Sequence, residues 1–307
     1  MNVVLTGGTG FLGRRVAAAA LDGGHAVTVL TRDVEAGRAA LATEPRLGGG
    51  RAERVAVLPL AWEDAGALQR TLAGCAPHAV VHLAARITGT RDELLAANLA
   101  GTAHLLRAAA ALARAPRFVH VSSFAVEDHP PTHYSDSKLA AEALVGASGL
   151  PWTILRPALI YGPGDAGNTD ALVAKLRGGT MWLPRGGAAT IQPVFVDDVV
   201  AALLAACERP AAVGRTYRLG GPEPVSVRDY RLAVRDASGG RARLRGIPLP
   251  LFAVLARALA LAGKRGALGV LAFHGRDHAV ESDAARRELS FRPRALAEGL
   301  ALTFPSR

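Results

Sequence analysis

The chain has 307 residues, half of them apolar and one-fifth charged, a balance that suits one large or two smaller folded domains and excludes a disordered chain. Its formal charge of +10 is uneven, with 15 basic and 13 acidic groups in residues 1–160 against 21 and 13 in 161–307. No basic stripe is interleaved with stacking aromatics, which argues against nucleic-acid binding. Two cysteines, Cys75 and Cys207, exclude a disulfide framework.

The N-terminus runs from Met1 through Val3-Val4-Leu5 straight into a glycine motif, without a signal-peptide pattern, and with the cysteine count this points to a cytoplasmic protein. Short apolar runs at 3–5, 26–30, 54–58, 79–83, 118–121 and 153–155 predict buried strands. Between them, 14–21, 94–113 and 134–145 predict helices. This alternation predicts an α/β fold, a doubly wound parallel sheet of Rossmann type covered on both faces. The expected dinucleotide-binding domain spans 1–163. A smaller substrate-binding lobe takes 164–307, with about 190–220 returning to the sheet.

The stretch Thr6-Gly7-Gly8-Thr9-Gly10-Phe11-Leu12-Gly13 follows the first strand and opens a helix. Glycines at these spacings permit a sharp turn, a close approach of backbone to a pyrophosphate, and tight helix–strand packing. Gly7, Gly10, Phe11, Leu12 and Gly13 are therefore candidate cofactor contacts. The second strand ends Thr31-Arg32-Asp33. Thr31 occupies the place of the acid that grips a ribose hydroxyl, and Arg32 beside it suits a 2′-phosphate, so NADP is expected, with NAD the alternative.

Tyr134 and Lys138 stand four apart, on one face of a predicted helix. A nearby ammonium lowers a phenol's pKa toward working pH, which makes the tyrosine a usable acid or base. Eleven residues before Tyr134, Ser123 ends a predicted strand with a hydroxyl suited to holding a substrate oxygen.

Taken together, these motifs resemble the extended short-chain dehydrogenase/reductase family, also called the NAD-dependent epimerase/dehydratase family. Further matching pieces are 80–85, 98–102, 155–164 and 193–199. The resemblance implies Tyr134 as acid/base, Lys138 as its tuner and ribose contact, and Ser123 as the oxygen-binding hydroxyl. It also implies Leu83, Ala84 and Ala85 beside the adenosine and ribose, and Pro157 and Ala158 near the nicotinamide. Asn98 is read either as ordering a water beside Lys138 or as a packing residue. Three departures stand out: Leu159 where sugar-nucleotide members carry Asn, Pro59 where the family carries an acid, and a short segment between Ser123 and Tyr134. The first and third weaken a sugar-nucleotide reading, and the form Arg156-Pro157-Ala158-Leu159-Ile160-Tyr161-Gly162-Pro163-Gly164 resembles instead the branch holding hydroxysteroid dehydrogenases, dihydroflavonol-type reductases and the reductase-like accessory subunit of respiratory complex I. The expected activity is hydride transfer between a nicotinamide and a carbonyl or carbinol carbon of a small, mainly apolar substrate. The alternatives are an NDP-sugar epimerase or dehydratase using the same residues, and a cofactor-binding assembly protein.

His274 and His278, with Asp277 and Asp283 nearby, lack a second ligand pair, and no metal is expected. The apolar run 248–262 is too short to span a bilayer. Burial in the core is its default reading. A lid over the substrate is the next, and contact with a membrane surface through Lys264 and Arg265 is the less favoured one. A homodimer is left open.

Overall fold

The computed structural model describes residues 1–127, 131–261 and 266–305. The described residues fall into two compact units. The first comprises Met1–Pro157, Val196–Leu219 and Ser282–Phe291, and the second Ala158–Phe195, Gly220–Glu281 and the chain from Arg292 on.

The first unit alternates strand and helix: β1 (Asn2–Thr6), α1 (Phe11–Asp22), β2 (Ala26–Thr31), α2 (Val34–Ala42), β3 (Ala56–Pro59), α3 (Ala65–Cys75) and β4 (Ala79–His82). Next come α4 (Arg91–Leu94), a wider π-type stretch Leu95–Ala100, and α5 (Gly101–Ala110). The unit continues with β5 (Arg117–Val121), α6 (His133–Gly146) and β6 (Trp152–Pro157). A seventh strand, Arg215–Leu219, pairs in parallel with β6. Across the sheet the order is Arg215–Leu219, β6, β5, β4, β1, β2, β3, and every pairing is parallel. This is the expected doubly wound parallel sheet.

Because both faces are covered, the strands are apolar almost throughout rather than alternating. Val4, Leu30, Val80, Phe118 and Ile154 are buried in a shared core with Leu68 and Leu72 of α3, Leu105 of α5 and Val145 of α6. The strand order reverses between β1 and β4. At such a point the two connections leave to opposite faces and open a crevice beyond the carboxyl ends of the strands.

The second unit is built on three two-stranded pieces. Ile160–Tyr161 pairs with Val194–Phe195, Thr190–Ile191 with Val225–Ser226, and Thr180–Pro184 with Arg243–Ile247. Its core is aromatic: the Tyr161 ring meets Phe195 at 5.7 Å and Tyr230 at 6.2 Å, both edge-on. The apolar run 248–262 forms the helix Leu249–Leu261, in which only Ala256 is buried. The default reading as a core helix is therefore corrected: a core helix buries most of its side chains, and this one exposes Leu251, Val254, Leu255 and Leu261. Lys264 and Arg265 lie outside the described residues. Among the described residues, no helix is long and apolar enough to cross a membrane.

Candidate active site

The loop after β1 is shaped by two glycines. Gly7 has φ +71°, and a Cβ there would lie 2.6 Å from the Ala84 nitrogen and 2.8 Å from the Leu83 carbonyl carbon. At Gly13 a Cβ would lie 2.2 Å from the Gly7 oxygen. Any side chain at either position would force the loop open. Gly10 caps α1 in extended conformation without a side-chain hydrogen bond, so the first-turn N–H groups of Phe11, Leu12 and Gly13 carry no capping acceptor. A helix start of this kind draws an anion by its N–H groups and its dipole. The same loop packs on Leu83 and Ala84, the exit of β4, at the crevice where the strand order reverses. The cradle fits a dinucleotide's pyrophosphate.

At the end of β2, Thr31 is half-buried, while Arg32 and Asp33 are exposed. The Asp33 carboxylate caps α2 by accepting a hydrogen bond from the Ala36 N–H at 2.9 Å. Arg32 makes no ion pair among the described residues. Pro59, beside Thr31 in the sheet, is exposed and brings no acid.

β5 delivers Ser122 and Ser123. The Ser123 hydroxyl accepts from the Ala125 N–H at 3.2 Å and lies close enough to the Tyr134 phenol to influence its ionisation. A capping box places the tyrosine: Thr132 Oγ1 accepts from the Ser135 N–H at 3.1 Å, and Ser135 Oγ accepts from the Thr132 N–H at 2.7 Å. This fixes the first turn of α6, which carries Tyr134. Burial raises the phenol's pKa, and the Ser123 hydroxyl pulls it back.

Here the structure differs from the sequence expectation that the Lys138 ammonium lowers the phenol pKa. Lys138 Nζ turns inward, donating to the Val121 oxygen at 2.8 Å and lying 3.3 Å from His120 Nε2. Burial pushes the lysine itself down to about 8, partly countered by Glu142.

A polar network behind these residues was not foreseen. His82 and His120 are register partners on β4 and β5, with rings 5.3 Å apart. His82 bridges Thr6 Oγ1 at 2.6 Å and Thr102 Oγ1 at 2.9 Å. Burial holds His82 at about 3 and His120 well below the usual imidazole range, so both are neutral at pH 7. A polar residue interrupting each of two apolar runs was the available signal. Asn98, left open between water-ordering and packing, is buried and clamps backbone. Its Oδ1 accepts from the Arg86 N–H at 2.7 Å, and its Nδ2 donates to the Arg86 oxygen and to Ser137 Oγ, each at 2.9 Å. Ser137 Oγ in turn donates to the Tyr134 backbone carbonyl oxygen at 2.7 Å. Asn98 thus ties the loop after β4 to the turn of α6 that carries Tyr134.

Ala85 is exposed, Pro157 is buried at the end of β6, and Ala158 opens the second unit. In that unit Asp277 accepts from the Thr190 N–H at 2.8 Å, and the His278 ring stacks on Phe273 at 4.6 Å.

The model of the NAD dependent epimerase/dehydratase family matches residues 3–220. A 4-hydroxy-2-methyl-3-oxo-4-farnesyl-3,4-dihydroquinoline-1-oxide ketoreductase of Stigmatella aurantiaca is 30% identical over 95% of this chain and 92% of its own length. A UDP-glucose 4-epimerase of Mycolicibacterium smegmatis is 31% identical, covering 78% of this chain and 83% of the relative. Among solved structures, the UDP-glucuronic acid 4-epimerase of Bacillus cereus, in complex with UDP-glucuronic acid and NAD, superposes with a TM-score of 0.76. It is 20% identical and covers 99% of this chain and 98% of the other, a likeness of fold.

Proposed function

Starting from a chain that belongs to the NAD-dependent epimerase/dehydratase family and is an NAD(P)-dependent oxidoreductase of the extended short-chain type, we propose that it interconverts a carbonyl and a hydroxyl on a mainly apolar substrate, with Tyr134 as acid/base. The observation that carries this reading is the Ser123–Tyr134 hydroxyl pair, at the carboxyl end of β5 and the start of α6. A bound nicotinamide supplies hydride in reduction and accepts it in oxidation. The backbone N–H groups of Phe11, Leu12 and Gly13 would hold the pyrophosphate of that cofactor, with Leu83, Ala84 and Ala85 along its adenosine side and Pro157 and Ala158 toward its nicotinamide. In reduction Tyr134 Oη gives a proton to the oxygen as negative charge builds there, and the Ser123 hydroxyl donates a hydrogen bond to the same oxygen. Lys138, four residues after Tyr134 on the same helix, would contact the ribose of that cofactor.

Two features support an apolar substrate. Leu159 stands where sugar-nucleotide enzymes carry a polar contact, and the Stigmatella relative, similar across nearly the whole chain, is named for a farnesylated ketone. Tyr134→Phe is expected to keep cofactor binding and to lose turnover by about two to four orders of magnitude, measured on a panel of apolar ketones and alcohols. Near-normal turnover would remove Tyr134 from the mechanism. Micromolar binding and turnover of a UDP-sugar by the intact enzyme would replace the apolar reading with the epimerase one.

NADP is the proposed cofactor, because Arg32 is exposed with no ion pair among the described residues, while the neighbouring Asp33 carboxylate is engaged as a helix cap. A guanidinium binds a 2′-phosphate in bidentate fashion. Fluorescence titration should show tighter NADPH than NADH binding, and Arg32→Ala should remove the difference. Tighter NADH binding that ignores this substitution would make Arg32 a solvated surface residue.

A further inference from the structure

The helix Leu249–Leu261 in the second unit is apolar on two opposite faces. Phe252, Ala253, Ala256, Leu259 and Ala260 are buried or half-buried, which accounts for one face. Leu251, Val254, Leu255 and Leu261 are 58%, 64%, 47% and 92% exposed. With Ala258, also exposed, they recur at spacings of three and four and so form one continuous stripe. An apolar stripe left in water at this scale marks a surface in use.

The chemistry around the stripe selects its occupant. Residues 237–276 contain seven basic residues and no acidic one. Arg257 is exposed on the helix itself. On the strand Arg243–Ile247, which leads into the helix, Arg243 and Arg245 are exposed, and Arg245 is the register partner of Trp182, itself 60% exposed. Arg243, Arg245 and Arg257 make no ion pair among the described residues. A second copy of this chain seated on the stripe would bring like charges together. An anionic surface would neutralise them. An exposed tryptophan paired with an arginine suits the water–hydrocarbon boundary, where the ring buries its apolar body and keeps its N–H wet.

We propose that this helix face is a docking surface for an anionic lipid bilayer. The 13-residue helix is about 20 Å long, too short to cross a hydrocarbon core and suited to lying in the interfacial plane. Leu251, Val254, Leu255 and Leu261 enter the acyl boundary, Trp182 sits at headgroup level, and the arginines face lipid phosphates. An enzyme seated in this way meets lipid-soluble substrates where they are concentrated.

Flotation of the full chain with phosphatidylcholine vesicles containing roughly one-third phosphatidylglycerol tests the surface directly. The protein is expected to float with these vesicles, to bind pure phosphatidylcholine vesicles far more weakly, and to be released by high salt. Leu251→Ser with Leu255→Ser should weaken partitioning at least tenfold while leaving the melting temperature unchanged, because both side chains are exposed. Arg243→Gln with Arg245→Gln should weaken it by about thirtyfold on anionic vesicles only. Absence of flotation with the anionic vesicles overturns the proposal. So does a leucine double variant that floats like the parent, or one that melts much lower, which would make the stripe core. A concentration-dependent dimer dissolved by the same leucine changes would assign the face to a second copy instead.

Discussion

Lys138 shows how one side chain's surroundings set the response of the whole site to pH. Its ammonium is buried, and the Val121 oxygen and His120 Nε2 compensate only in part, so its pKa falls from 10.5 to about 8. Because the folded value is the lower one, the unfolded chain holds more protons between pH 8 and 10.5, and stability rises with pH through that window. Burying the charge costs about 3 kcal/mol at neutral pH. Activity that depends on the ammonium moves the other way, falling as pH climbs past 8. Lys138→Met should therefore lose turnover yet melt no lower than the parent at pH 7. Thermal melts at pH 7, 9 and 10.5 should show the parent gaining on the variant. A parent that loses ground to Lys138→Met over that range would mean that the lysine is not buried as a charge. The Tyr134–Lys138 spacing was readable in the sequence because helical geometry fixes which residues share a face. The direction of Nζ was not, since four rotatable bonds and a carbonyl from a distant strand decide it.

Among the elements, the connection between β4 and β5 was the least legible. Residues 94–113 read as one regular helix, whereas the chain forms α4, a π-type stretch and α5 over 91–110. Apolar periodicity did not reveal the wider turn, because Leu95–Ala100 is apolar apart from Asn98 and so marks no one face. That turn matters because it presents Asn98 inward, against the backbone of Arg86 and the hydroxyl of Ser137. Asn98→Ala would leave the Arg86 N–H and oxygen and the Ser137 hydroxyl short of partners, a cost of about 1–3 kcal/mol since Arg86 is partly solvated. The expected drop in melting temperature is roughly 3–10 °C. Because Ser137 also holds the Tyr134 backbone, kcat should fall as well. Asn98→Asp keeps the acceptor for the Arg86 N–H but sets a second carboxylate oxygen against the Arg86 carbonyl oxygen, so it should restore neither. An Asn98→Ala variant with normal melting and normal kcat would show that the clamp positions nothing. By contrast, the glycine loop was fully legible, because the constraint at Gly7 and Gly13 is steric and local.

At the scale of the whole molecule, the parallel sheet could be read from its apolar runs, since strands buried on both faces have few other ways to be written. The second unit could not, because its two-residue strands carry no periodicity and its aromatic core comes from residues far apart in sequence. Nor did the sheet's apolar pattern reveal that its centre is partly polar. His82 and His120 stand side by side on adjacent strands, both neutral, with His82 bonded to Thr6 and Thr102. Their folded pKa values lie well below 6.5, so the unfolded chain takes up protons that the folded chain refuses. The stability they contribute is complete above about pH 7. It is lost as pH falls below 6.5, by about 1.4 kcal/mol for each histidine per pH unit. Acidification from pH 7 to 5 should consequently lower the melting temperature well before carboxylates near their ordinary values begin to protonate. His82→Gln retains hydrogen-bonding capacity toward Thr6 or Thr102 without a titrating group. It should flatten the pH dependence between 7 and 5 by about a third, because His274, held at about 4 by burial, contributes over the same range. If the parent melts at the same temperature at pH 5 as at pH 7, or if His82→Gln leaves the slope unchanged, the acid sensitivity does not come from the centre of the sheet.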